Sequence, residues 1–191
     1  MFFDRIGKKT DEELMQQVQR GDDRALTALY ERYGTRLLRY FYRMLWKDRE
    51  RAQDFLHDLF VKVIENATRF QPERKFSTWL YSIAHNMCKN EYRKHAFRKA
   101  HGPAPPDESV ENLGYAALQD QQFKNALDSA LEKLEEADKH LFTLRYEAEL
   151  NLEEIAAILE CPEGTVKSRL FYLKKKLAGY LGAYHPENAM T

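Results

Sequence analysis

With 191 residues, 43% of them hydrophobic and 31% charged, the chain is sized for one or two small domains and holds enough apolar material for a core. No window approaches the ~18 uninterrupted apolar residues of a membrane span, no apolar run follows the charged N-terminal residues, and two cysteines cannot make a disulfide scaffold. A cytoplasmic protein with no membrane span of its own is expected.

The 30 basic and 30 acidic residues cancel overall yet segregate. Residues 1–100 carry 21 basic and 14 acidic side chains, a net +7, and residues 101–140 carry 3 and 9, a net −6. Residues 165–178 hold five bases and no acid. Two separated basic stretches point to a polyanion touched at two places; the alternative is a pair of solvated helix faces.

In chain order, Thr10 and Glu13 make a capping-box pattern ahead of Leu14 and Val18. From Ala25, the residues Leu26, Leu29, Tyr33, Leu37, Phe41 and Met44 recur every three or four positions, which predicts a second helix. Ala52, Leu56, Leu59 and Val63 predict a third, and Pro72 within residues 68–75 interrupts the pattern. Leu80, Ile83, Ala84 and Met87 mark a fourth. Gly102-Pro103-Ala104-Pro105-Pro106, followed by Asp107-Glu108-Ser109, cannot continue a helix and reads as a linker. Beyond it, Leu141, Leu144 and Ala148 close one helix, and Asn151 with Glu154 caps a short one over 152–159. Pro162 suits the first turn of a last helix, striped by Val166, Leu170, Leu173 and Leu177. Nothing alternates with period two. The expected fold class is all-α: two small helical domains, residues 10–98 and 116–184, joined by a flexible linker over 99–115.

The last two helices, joined by a tight turn with the second one basic, fit a helix-turn-helix. Turning the stripe inward, at ~100° per residue, leaves Gly164, Lys167, Ser168, Phe171, Tyr172 and Lys175 outward. Lysine and serine donate to phosphates and base edges, and a ring contacts a thymine methyl or the sugar wall. The alternative is that Phe171 and Tyr172 pack against a neighbouring helix. On the fourth helix the outward set is Thr78, Ser82, His85, Asn86, Lys89 and Arg93, beside Arg69, Phe70, Arg74, Lys75, Phe76 and Trp79. Rings interleaved with bases suit single-stranded nucleic acid; alternatively Phe76 and Trp79 belong to the core. Asp54, His57 and Asp58 at one-turn spacing, or His85 near Cys88, do not supply three ligands on a recognisable metal template. No metal, cofactor or catalytic residue is therefore expected, and the protein is not expected to be an enzyme. Cys88 and Cys161 read as small buried thiols.

Four stretches resemble, in order, the sigma-70 family of RNA polymerase sigma factors, and more closely its small extracytoplasmic-function (ECF) branch. Gly21-Asp22-Asp23 through Leu29-Tyr30-Glu31-Arg32-Tyr33 resembles the opening of that branch's first domain. Asp54-Phe55-Leu56-His57-Asp58-Leu59-Phe60 resembles its polymerase-clamp helix, and Phe76-Ser77-Thr78-Trp79-Leu80-Tyr81-Ser82-Ile83-Ala84-His85-Asn86 its promoter-melting helix. Glu154-Ile155-Ala156-Ala157-Ile158-Leu159, then Cys161-Pro162-Glu163-Gly164-Thr165-Val166-Lys167-Ser168-Arg169-Leu170, resembles its helix-turn-helix.

The resemblance implies a factor that performs no covalent chemistry. It binds core RNA polymerase at the beta-prime clamp and beta flap and gives it promoter specificity. The first domain would read and melt the −10 element, and the second would read the −35 element of promoter DNA. The implied −10 set is Arg69, Phe70, Lys75, Trp79, Ser82, Asn86, Lys89 and Arg93, with the loop over 70–75 holding a flipped base. The implied −35 set is Thr165, Lys167, Ser168, Phe171, Tyr172 and Lys175, and the implied clamp set is Asp54, His57 and Asp58. Tyr172 stands where relatives often carry arginine, and His57 and Asp58 replace a common glutamine and glutamate. An anti-sigma factor, often membrane-bound in the family, is also implied, wedged between or wrapped around the two domains. The competing reading is a stand-alone helix-turn-helix regulator of duplex DNA. It accounts for residues 150–178 and leaves the basic, aromatic first half unexplained.

Overall fold

The computed structural model of the chain describes residues 9–101 and 118–182. Helices α1 (Asp11–Gln19), α2 (Asp23–Met44), α3 (Arg49–Glu65) and α4 (Phe76–His101) form one half. Helices α5 (Leu118–Glu132), α6 (Glu136–Phe142), α7 (Leu152–Ile158) and α8 (Glu163–Tyr180) form the other. Among the described residues there is no strand, and no helix is long and apolar enough to cross a membrane.

Local chemistry fixes the helix starts. The Thr10 hydroxyl accepts from the Glu13 amide (3.2 Å) while the Thr10 amide donates to the Glu13 carboxylate (2.8 Å). Asn151 and Glu154 repeat that reciprocal box at α7, and Asp22 and Asp48 cap α2 and α3. Gly21, at φ +85°, makes the left-handed turn between α1 and α2 at little steric cost. The α2–α3 corner instead places two side-chain-bearing residues, Trp46 (φ 56°) and Lys47 (φ 63°), in the left-handed region. Trp46 is held there by Tyr92 and His95, with ring centroids 5.5 and 4.4 Å away, and by the Arg51 guanidinium at 5.4 Å.

Each predicted stripe faces inward. Leu29, Tyr33, Leu37, Phe41 and Met44 of α2 are buried with Ala52, Leu56, Leu59 and Val63 of α3 and with Leu80 and Ala84 of α4, while Leu26, Ile83 and Met87 are half-buried against the same core and Cys88 joins it. Val166, Leu170, Leu173 and Leu177 of α8 are buried against α5, α6 and α7.

Three boundaries differ from expectation. α4 continues through residues 99–101, so the helix enters the stretch expected as linker, and residues 102–115 of that stretch lie outside the described residues. The helix expected around Leu141 and Leu144 ends at Phe142 and passes into a π-helical turn, Thr143–Glu147. Pro162 sits at the N-cap of α8, one residue before the first turn, where a fixed φ of −60° still suits the start.

The two halves pack on one another along a seam. α7 lies against α4, and α6 with the π-turn lies against α2. Arg43 of α2 bonds Glu147 and Asp128, the latter at 3.0 Å, and Lys47 pairs with Glu132. Lys75 and the Ser77 hydroxyl both reach Glu154 of α7, at 3.2 and 3.3 Å. The buried residues of both halves form one continuous cluster.

Candidate nucleic-acid interface

The second half presents its outer face through α8. The α7–α8 turn closes with the Cys161 amide donating to the Ala156 carbonyl (3.1 Å) and Glu160 at φ 51°. With the stripe buried, Lys167, Ser168 and Lys175 are exposed, and Thr165 is half-buried. Phe171 and Tyr172 are 65% and 62% exposed, their rings edge-to-face at 5.5 Å. The alternative in which these rings pack under a neighbouring helix is therefore not what the fold does. Rings left in water beside free lysines and a hydroxyl make a surface suited to bases and phosphates.

The first half presents a loop and a helix. Gln19 of α1 donates to the Ala67 and Phe70 carbonyls (2.9 and 3.0 Å), and Glu12 accepts from the Phe76 amide (2.9 Å). Residues 71–75 thus project from two fixed posts, and all five are exposed. Beneath them Phe70, Phe76 and Trp79 form a ring cluster with centroids 5.4–6.1 Å apart, extended by Tyr33 at 5.5 Å from Phe76. Arg69, Lys75, Asn86, Lys89 and Arg93 are exposed. Trp79 and Ser82 are half-buried, the Ser82 hydroxyl donating to the Thr78 carbonyl (2.8 Å). Phe70 is 3% exposed, so its ring supports the loop from within rather than facing outward.

On α3, Asp54, His57 and Asp58 are exposed on one face, which continues to Val61 and Ile64 at 50% and 51% exposure. Isolated apolar residues at a surface are ordinary. Two at helical spacing beside a polar triplet suggest a protein-facing surface.

The Sigma-70 region 2 family matches residues 29–98, and the Sigma-70 region 4 family matches residues 124–177. The chain is similar to the ECF RNA polymerase sigma-E factor of Haemophilus influenzae, 33% identical over 184 residues, covering 88% of this chain and 93% of that protein. It is similar to the RNA polymerase sigma-H factor of Pseudomonas aeruginosa, 30% identical over 189 residues, covering 90% and 94%. The chain belongs to the ECF sigma factors. A sigma factor of this family directs promoter-specific transcription initiation. The fold agrees with that of the sigma factor RpoE of Bartonella quintana, solved in complex with the anti-sigma factor NepR: TM-score 0.63, 24% identity, covering 82% of this chain and 98% of that one.

In this sigma factor the surfaces of the two halves are not independent. Glu154, in the first turn of α7, engages Lys75 of the exposed loop over residues 71–75. The middle of the seam is a polar cluster that sequence reasoning missed. The Tyr40 hydroxyl lies 2.9 Å from Nδ1 of His140, and Nδ1 of His85 lies 3.4 Å from the same atom. Burial lowers the pKa of His140 to about 3 and also lowers that of His85, aided by Lys89 and opposed by Glu160. The helical period turns His85 away from the core of its own half, as read from sequence, but α6 occupies that side. Burial pushes the Cys88 thiol well above its ordinary range, which keeps it protonated and inert. Cys161 is half-buried rather than buried. Among the described residues no cluster of His, Cys, Asp and Glu is arranged to hold a metal ion.

Proposed function

We propose that this ECF sigma factor reads promoters with two surfaces, the −10 element with residues 69–93 and the −35 element with α8, on domains comprising residues 10–98 and 116–184. The reading rests on one observation: the same chain carries an exposed basic-aromatic recognition helix and a separate anchored loop over a ring cluster. In it Lys167, Ser168, Phe171, Tyr172 and Lys175, with Thr165 at their edge, meet duplex DNA. Lys75, Arg69, Asn86, Lys89 and Arg93 hold the backbone of the melted strand, while Trp79 and Ser82 line its path. The loop over 70–75 receives an unstacked base, with Phe70 as its floor. Asp54, His57 and Asp58, extended by Val61, dock on the beta-prime clamp of core polymerase, and the second half reaches the beta flap. The chain acts in the cytoplasm and catalyses no reaction itself. An anti-sigma factor is its regulatory partner, as NepR is for the Bartonella quintana relative.

Run-off transcription with core polymerase from the same organism and genomic promoter fragments tests this. Transcripts that vanish without the chain are expected, and aligning their start sites gives both elements. Absence of transcripts together with absence of core binding would leave the stand-alone regulator.

Two substitutions separate the surfaces. Lys167→Ala is expected to weaken holoenzyme binding to a −35-bearing promoter by about 1–3 kcal/mol at fixed salt while leaving core binding intact. Asp58→Arg is expected to weaken core polymerase binding by about tenfold or more, read by fluorescence anisotropy, with helical content unchanged.

A further inference from the structure

Charged pairs hold the rim of the seam, but two imidazoles lie at its centre. His140, on α6, is 4% exposed among Tyr40 of α2 and His85 and Tyr92 of α4. We propose that His85 and His140 form a proton-operated latch, neutral while the two halves are packed together and opening the seam when either takes up a proton at mildly acidic pH.

The geometry carries the argument. Two Nδ1 atoms 3.4 Å apart share at most one hydrogen, and a further proton on either ring would place a cation at a buried (His140) or half-buried (His85) position. Among the described residues, no neighbouring charge outweighs burial at either ring. From α2 come Tyr40, which is neutral, and Arg43, which is engaged by Glu147 and Asp128. From α4 come Cys88, Tyr92 and Lys89, the last of which disfavours a charge on His85. Beyond α7 comes Glu160, which favours that charge but is outweighed by burial and is solvent-exposed. On α6 itself Glu136 is exposed, and Lys176 of α8 is held at Asp138 (2.6 Å) on the outer side. Among the described residues no carboxylate hydrogen-bonds either ring.

The sign follows from the direction of the shifts. Both imidazoles have lowered pKa values when packed and regain about 6.5 when the seam opens. Their contribution to closure is therefore full above about pH 6.5 and is lost as pH falls from there, for His140 towards about 3. For one titrating ring the closing constant is expected to fall about tenfold between pH 7.5 and pH 5.5. Opening would release Lys75 and Ser77 from Glu154 and uncover the loop side of α4. That consequence for promoter access rests on the reading proposed above, whereas the latch itself does not.

The test is single-molecule energy transfer on the full chain, with dyes at cysteines replacing exposed Lys62 and Lys174 in a Cys161→Ser background. The open-to-closed ratio is expected to rise about tenfold from pH 7.5 to pH 5.5. In the double variant His85→Gln, His140→Gln, which keeps an acceptor for Tyr40, it is expected to change by less than about twofold. An unchanged ratio in the unsubstituted chain overturns the proposal. So does a pH response of the double variant equal to that of the unsubstituted chain, or loss of far-ultraviolet helical signal in step with opening. Because no DNA or polymerase is present, failure here is separate from failure of the transcription assay.

Discussion

Replacing Phe76 with alanine is expected to lower the unfolding free energy by about 3–5 kcal/mol, the range for deleting a buried phenylalanine ring. Phe76 is fully buried at the first turn of α4, edge-on to Tyr33 and Phe70 and beside Trp79. Its ring lies between Tyr33, Phe70 and Trp79 beneath the exposed loop over residues 71–75, so its removal leaves a cavity lined by three large rings with little freedom to collapse. Set against the about 5–15 kcal/mol of a typical domain, this is a large share of the whole. Urea unfolding followed by circular dichroism measures it, and Trp79 emission should shift as the ring cluster loosens. A cost below about 1 kcal/mol would mean that the site collapses freely around the missing ring.

Removing the Arg43 side chain is expected to cost about 2–3 kcal/mol, less than the 3–5 of a fully buried ion pair because each partner still reaches some solvent. Arg43 holds Glu147 and Asp128 together and lies 6.0 Å from the centre of the Phe142 ring. Arg43→Ala leaves Glu147, already pushed upward by burial, without its cation. Its carboxyl pKa in the variant then lies further above the unfolded value. The stability tied to protonating it is present at low pH and lost as pH rises through the raised pKa. The deficit of Arg43→Ala relative to the unsubstituted chain should accordingly be largest at neutral pH and shrink towards pH 4, as urea midpoints at the two pH values will show.

The helices were legible because each half repeats its apolar residues at three and four, and because Thr10, Asn151 and their partner glutamates sit where a capping box requires them. The outward face of α8 followed from the same period, and Phe171 and Tyr172 are exposed as that geometry required. What sequence could not reveal is the seam, whose partners lie far apart in the chain: 55 residues between His85 and His140, and 104 between Arg43 and Glu147. No local pattern marks such pairs. By its helical position His85 reads as one more outward polar residue. The charge segregation did hold a hint. Acids of the negative middle stretch, Asp128 and Glu132, meet Arg43 and Lys47 of the positive first half, so part of the segregation joins the two halves rather than marking a polyanion partner. Phe70 illustrates a different limit, since periodicity says nothing about which way a residue turns in a loop.

The long sequence separation across the seam also orders events on the ribosome. Every contact within α1–α4 is available once residue 101 has been made, whereas His140 is added 39 residues later. At about 5–20 residues per second, that interval lasts about 2–8 s. During it the nascent first half can fold while the helices that later cover it do not yet exist. Each newly made molecule therefore passes through a short uncovered period, and the abundance of young chains, as distinct from total chains, becomes a variable in how much of the protein is open to capture.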